Sequence, residues 1–282
     1  MRSRLSSFRL RRPNRWTWSG WNKREDKRGF ITLFDSHCHL TDTRLLSEID
    51  SVLSRAEEAG VRYILSCGTD TPDNFKTISL AKRSPLILCG VGFHPHSADE
   101  FTEGDLFKIE EILKREKVYC LGEIGLDFYK NYSRKENQIE VFKNLVKVAQ
   151  KYNLPMSIHS RSAFSETIEV LKEIGYFNGV FHCFSGSWEM AKLILDLGFY
   201  ISFSGSITYD AQRLREVIKK IPEERILIET DAPYLAPVPF RGKRNEPSYL
   251  PYILKAIAEI KGVEENKMAE VIMENGKRIF RC

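Results

Sequence analysis

The chain has 282 residues, 42% of them hydrophobic, which is enough for a sizeable core in one large domain or two small ones. No run of 18 apolar residues exists, which excludes a membrane-spanning helix, and the charged fraction of 29% is that of an ordinary globular protein. The net charge of +5 is unevenly placed: residues 1–29 hold ten Lys/Arg against two acids, Glu25 and Asp26, so the remainder is slightly acidic and any anion site must be local.

The basic segment 1–30 has no apolar stretch of the kind a secretory signal needs. Its Arg and Ser content resembles an organelle transit peptide. We read it instead as a disordered basic extension, or as sequence upstream of the true start. Trp16, Trp18 and Trp21 interleaved with arginines would let it stack on nucleic acid. Residues 31–282 read as a single hydrolase domain.

From residue 31 onward, short apolar runs alternate with amphipathic stretches. Strands are predicted at 31–36, 62–67, 86–93, 118–122, 155–159, 179–183, 199–203 and 226–230. Helices are predicted at 45–59, 73–82, 103–115, 134–152, 164–174, 188–197, 211–221, 251–261 and 263–280. The helix at 134–152 is the clearest, with three-four apolar spacing at Ile139, Phe142, Leu145, Val146 and Ala149. Strands rich in Ile, Leu, Val and Phe, each followed by a helix, make a parallel sheet covered by helices. Eight such units predict an α/β fold, a (β/α)8 barrel of the TIM type, with a doubly wound open sheet as the alternative. The six cysteines form no C-x-x-C pair, and five lie in or beside apolar runs. That pattern predicts buried thiols without a disulfide framework and, with it, a cytoplasmic location.

All six histidines lie between residues 37 and 182, four of them at or just past a predicted strand end. In D-S-H-C-H-L, extended chain points His37 and His39 to one face. Glu123 follows the fourth strand in C-L-G-E-I-G-L-D, where Gly122 and Gly125 would let the backbone bend tightly on both sides. His159 ends the fifth strand, His182 the sixth and Asp231 the eighth, with Glu229 two residues before Asp231. Each signal alone also fits hydrogen-bonded loop histidines or solvated acids. Together they form a ring at the catalytic face of a barrel, and four imidazoles with two carboxylates suit two adjacent divalent metals.

The ordered motifs D-S-H-C-H-L, G-V-G-F-H-P-H, G-E-I-G-L-D-F-Y, I-H-S-R, F-H-C-F-S-G-S and E-T-D-A-P-Y-L resemble those of the TatD-family metal-dependent deoxyribonucleases, within the wider amidohydrolase superfamily. The resemblance covers residues 33 to about 280. It implies that His37, His39, Glu123 and Asp231 hold one metal, and that Glu123, His159 and His182 hold the second, with Glu123 bridging. Relatives outside the family place a carbamylated lysine where this chain has Glu123. The implied activity is 3′→5′ exonucleolytic hydrolysis of DNA, with a role in DNA repair or degradation. Mg²⁺ is the expected metal, with Mn²⁺ and Zn²⁺ as alternatives. Asp231 and Glu123 are the expected catalytic carboxylates, Asp231 accepting the proton of the attacking water.

Around this set, His94, Arg161, Ser204 and Ser206 are candidate substrate-binding residues, while His96 reads as an exposed loop histidine. Arg161 would fork onto a phosphate or join a surface ion pair, and the two serines would donate to phosphate or cap turns. Arg241, Lys243 and Arg244 form a basic loop, expected to be mobile and near the mouth. Phe128, Tyr129 and Tyr234 would stack bases or pack at the rim. DNA is the expected partner, with no membrane and no obligate protein partner, on a monomeric enzyme. The competing functions are a D-aminoacyl-tRNA deacylase or small-molecule amidohydrolase using the same two-metal site, and a non-catalytic metal-binding scaffold.

Overall fold

The computed structural model describes residues 31–209 and 211–282; the basic extension lies outside them. Eight parallel strands run in chain order around a nearly closed barrel: β1 (Leu33–Cys38), β2 (Val61–Cys67), β3 (Ile87–Val91), β4 (Cys120–Asp127), β5 (Met156–Arg161), β6 (Gly179–Phe181), β7 (Tyr200–Phe203) and β8 (Ile226–Ile228). The last and first strands are joined by local bonds: Ser36 Oγ donates to the Ile228 carbonyl, Asp231 N–H to the His37 carbonyl and His39 N–H to the Ala232 carbonyl. The barrel predicted from the alternating pattern is therefore the observed fold.

The helices follow the strands as α1 (Thr43–Leu46), α2 (Ile49–Glu58), α3 (Thr71–Ala81), α4 (Glu103–Arg115), α5 (Lys135–Tyr152), α6 (Phe164–Ile174), α7 (Trp188–Asp196), α8 (Gln212–Lys220), α9 (Leu250–Lys261) and α10 (Glu265–Phe280). Their ends have chemical causes. Thr102 and Asp105 make a reciprocal capping box at the start of α4, and α5 stops at Asn153 in the left-handed conformation. One predicted helix, 45–59, is split into α1 and α2, with Ser47 capping the first. None of the helices among the described residues is long and apolar enough to cross a membrane.

The barrel interior is stratified. Its floor is a cluster that takes single large residues from most strands, including Phe34, Leu65, Leu88, Val180, Tyr200 and Leu227, and α10 closes it with Met273, Ile279 and Phe280. A second, larger apolar layer lies between the strands and the surrounding helices. Above the floor the inward residues are small or polar. Ser36 and Ser202 meet across the barrel at 2.8 Å, and Ser157 bonds His37 at 2.8 Å. The floor therefore supplies hydrophobic stabilisation, and the upper barrel is left free for polar groups.

The fit of α10 under the floor gives a signed prediction. In an exposed helix Gly→Ala is stabilising by about 1 kcal/mol. At Gly276 a methyl group would come within 2.6 Å of the Phe34 ring. Gly276→Ala should instead destabilise the protein by about 1–3 kcal/mol, measured by urea unfolding. A raised midpoint would show that α10 packs less tightly than described.

Candidate metal centre

Two strand irregularities place the central groups. Along β1, Asp35 pairs with Ile64 and Cys38 with Ser66, so three steps on β1 face two on β2. Along β4, Leu121 pairs with Met156 and Ile124 with Ile158, again three against two. Each is a β-bulge that re-aims a side chain. In β4, Leu121, Ile124 and Leu126 belong to the outer apolar layer, and the extra residue turns Glu123 inward. Glu123 thus lies within β4, not after it, and His37 and His159 likewise lie within β1 and β5. The predicted strand ends were drawn too early at these three positions. The neighbouring glycines serve close strand approach, not the loop bend expected of them. Gly125 has a φ of +144°, and a methyl group there would overlap the carbonyl oxygen of His159.

The Glu123 carboxylate is 3% exposed and meets five imidazoles. Its Oε2 lies 3.4 Å from His37 Nε2 and 3.2 Å from His39 Nε2. Its Oε1 lies 2.9 Å from His159 Nδ1, 2.8 Å from His182 Nε2 and 3.3 Å from His94 Nε2. Asp231, with a φ of +54° in the loop after β8, brings Oδ1 to 3.5 Å from His39 Nε2. All six candidate metal residues, with His94, are therefore brought into one cluster. Metal–ligand bonds of about 2.0–2.2 Å place neighbouring donor atoms about 2.8–3.6 Å apart in tetrahedral or octahedral shells. The observed separations lie on that scale, so the donor set fits divalent cations without rearrangement of the backbone.

Each of the four candidate histidine ligands has its second nitrogen occupied. His37 Nδ1 bonds Ser157 Oγ at 2.8 Å, and His39 Nδ1–H donates to the Cys67 carbonyl at 3.2 Å. His159 Nε2 faces Asp127 Oδ2 at 3.2 Å, and His182 Nδ1 faces Glu229 Oε1 at 3.3 Å. Such partners fix ring orientation and leave one nitrogen for the centre. Asp127 is in turn fixed by the backbone N–H groups of Tyr129 and Lys130. His94 is oriented differently. Its Nδ1 accepts from the His96 backbone N–H at 3.1 Å, which leaves Nε2–H as a donor toward the cluster.

The charge states follow from burial and neighbours. Burial would raise the Glu123 pKa, but the charge of His182 and the hydrogen bonds from His159 and His182 hold it well below the usual carboxylate range. Burial opposes charge on His39 and His182 too. The nearby carboxylates, Asp231 and Glu123 for the first and Glu123 and Glu229 for the second, raise both well above an ordinary histidine. His94 is pushed down to about 4 by burial and is neutral. Beneath the cluster, burial pushes Asp35 up to about 8, against hydrogen bonds from Thr230.

The other sequence candidates divide. His96 is not a free loop histidine: its Nε2 bonds Asp127 Oδ2 at 2.8 Å. Arg161 is exposed and stacks on Tyr129 at 4.1 Å, and among the described residues it makes no ion pair. Ser204 is buried and contacts Cys183, the neighbour of His182, and Ser206. Of the basic loop, Arg244 is tied to Glu48, Glu246 and the Arg44 carbonyl. Arg241 rests on Tyr209 and Lys243 on Phe240. The supporting roles of Ser157, Asp35 and Asp127 were not anticipated. Ser157 and Asp35 each stand two residues before a candidate ligand, which was the available signal.

A family model described as TatD related DNase matches residues 34–281. The chain is 41% identical over 252 residues to a protein of Bacillus subtilis named uncharacterized metal-dependent hydrolase YabD, covering 88% of this chain and 99% of that one. It is 33% identical to a protein of Erwinia tasmaniensis named 3′-5′ ssDNA/RNA exonuclease TatD, over 88% of this chain and 99% of the relative. Among solved structures it is similar to YJJV, a TatD homolog from Escherichia coli K12, with a TM-score of 0.86, 29% identity, and coverage of 90% of this chain and 99% of that one.

The metal-free centre has a predictable pH signature. His39 and His182 have folded pKa values above the unfolded value near 6.5, so their contribution to stability is full below that pH and fades as pH rises through the folded values. Asp35, raised to about 8, also favours the native state when protonated, so its share falls between its ordinary pKa of 3.8 and about 8. In chelator, urea stability should therefore decrease as pH rises from about 6.5, and Glu123→Gln should flatten that slope. A slope unchanged in Glu123→Gln would contradict the charge assignment.

Proposed function

Since the chain belongs to the TatD family of metal-dependent hydrolases, we propose that it is a 3′→5′ exonuclease acting on single-stranded DNA, with a role in DNA repair or degradation, through two divalent cations. The observation that carries the two-cation reading is the division of Glu123: one oxygen serves His37 and His39, the other His159 and His182. His37, His39, Asp231 and Glu123 Oε2 would hold one ion. Glu123 Oε1, His159 and His182 would hold the other. Four imidazoles suit Mn²⁺ or Zn²⁺, while the carboxylates also admit Mg²⁺. When bound, such ions supply charge for an in-line displacement at phosphorus and make water acidic enough to react at neutral pH. The nuclease assignment is supported by the name of the Erwinia tasmaniensis relative, which includes RNA as well as single-stranded DNA.

The chain's own residues supply the remaining steps. Asp231 is held below the usual carboxylate range, because the His39 hydrogen bond and charge outweigh its burial. It stays ionised and is the group placed to accept the proton of the attacking water. His94, neutral and with its Nε2–H directed at the cluster, donates to a non-bridging phosphate oxygen. Asp127 keeps His159 from rotating, and Glu229 does the same for His182. Arg161, two residues after His159 at the end of β5, would meet the phosphate of a neighbouring nucleotide, and Ser204 and Ser206 would offer hydroxyls on the β7 side.

Two outcomes test the reading. A 5′-labelled single strand with Mg²⁺ or Mn²⁺ should shorten stepwise from its 3′ end, stop on chelation and resume on metal addition; no nucleotide release with any divalent ion, alongside turnover of a D-aminoacyl-tRNA, would replace it with the deacylase. Asp231→Asn should keep the fold, checked by circular dichroism, and lower kcat at least about 10³-fold, whereas near-full activity would remove Asp231 from the proton transfer.

A further inference from the structure

The rim of the barrel carries a feature that the metal chemistry does not use. Three of its tyrosines are largely exposed: Tyr129 at 60%, Tyr132 at 64% and Tyr234 at 48%. Two of them have a guanidinium against the ring. The Arg161 guanidinium sits 4.1 Å from the Tyr129 ring centre, and the Arg44 guanidinium 4.5 Å from that of Tyr234. Arg44 is itself held by both oxygens of Asp42, at 2.9 and 2.7 Å. A ring with one face on a guanidinium, as Tyr234 has on the anchored Arg44 and Tyr129 on Arg161, can take a second flat group on its other face.

Their positions relative to the cluster are as informative as their exposure. Tyr234 follows β8 and its ring packs edge-on against His39, centroids 6.1 Å apart. Tyr129 and Tyr132 follow β4. The Tyr129 N–H is bonded to Asp127, which holds His159, and Tyr132 packs on His96 at 4.7 Å. In an eight-stranded barrel taken in chain order, the β8–β1 side and the β4–β5 side are opposite. The carboxylate cluster therefore lies between two cation-backed aromatic platforms. Further cations lie near rim rings, Lys135 4.7 Å from the Phe128 centre and Lys130, farther out, 5.8 Å from that of Tyr129.

We propose that Tyr129 with Arg161, and Tyr234 with Arg44, are two base-stacking subsites that grip a single strand on either side of the scissile phosphate. This rests on the nuclease reading given above. Every base has a flat face, so stacking is tolerant of sequence, and it ignores the sugar's 2′ position. A base within a duplex has both faces already stacked and is unavailable to the tyrosines. The clamp thereby selects single strands of at least two or three nucleotides without reading base identity.

The test compares two substrates on one enzyme loaded with Mn²⁺: a labelled hexanucleotide, and methyl 4-nitrophenyl phosphate, a diester too short to span both platforms. Tyr129→Ala and Tyr234→Ala should each reduce kcat/KM on the hexanucleotide at least tenfold more than on the small diester, mainly through KM. Tyr129→Phe and Tyr234→Phe, which keep the ring face, should restore most of the loss. Fluorescence anisotropy of the labelled strand, with metal removed by chelator, should show the same order of binding. Equal losses on both substrates would make the tyrosines structural, and an unchanged hexanucleotide KM would remove the clamp. Failure of the unsubstituted enzyme to shorten or bind the strand, while it hydrolyses the small diester, would overturn the nuclease reading itself and the clamp with it.

Discussion

The structure depends on one arrangement, a buried carboxylate surrounded by imidazoles. A lone ionised Glu123 in the upper barrel would be strongly unfavourable, because the protein interior cannot replace the water it loses. Five imidazole nitrogens within 3.4 Å provide the replacement. The relation is reciprocal, since His39, His159 and His182 are raised against their burial by the carboxylates beside them. A divalent cation on either side would take over the same task, so the cluster is prepared for metal by the features that keep it stable without metal. The neighbouring architecture serves this condition. The bulge in β4 turns Glu123 inward, and the close approach of β5 at Gly125 brings His159 to it.

Such a polar centre is tolerable because the barrel divides its labour by depth. The large residues of the floor and the plug formed by α10 carry the hydrophobic load. The small residues above them, Ser36, Ser157 and Ser202, contribute little burial but complete the hydrogen bonds that polar groups need. Asp35 belongs to this middle level. Its two oxygens satisfy Thr230, which precedes Asp231, so the strand carrying one candidate ligand, His37, is tied to the loop carrying another.

The alternation of apolar strands and amphipathic helices was readable because it depends only on periodicity, and it predicted the barrel in chain order. The six candidate ligands were readable because their types recur near strand ends. What could not be read was register. Glu123 falls after the predicted strand because the apolar run ends at Gly122, and alternation counted from Leu121, which faces the helices, turns residue 123 outward as well. A single extra residue in the pairing changes that, and no composition rule announces it. His96 was misread for a related reason. Its partner Asp127 is 31 residues away and is reached only after the β3 and β4 loops meet. Arg161 kept both meanings open in the sequence, and the structure gave it a third, a ring to lie on.

The centre by itself is indifferent to which ester it opens. Two cations, a proton acceptor and a neutral imidazole donor would serve a phosphodiester or a carboxylic ester, since both develop negative charge on oxygen in the transition state. Discrimination has to come from groups that touch the substrate away from the reacting bond, and in a barrel these are carried by the loops after the strands. Among the described residues these loops hold rings and cations paired with one another. Such rings and cations are the groups on which the proposed single strand would stack. The step from hydrolase to nuclease is thus a statement about the rim, and it stands on different residues from the step that makes the protein a hydrolase.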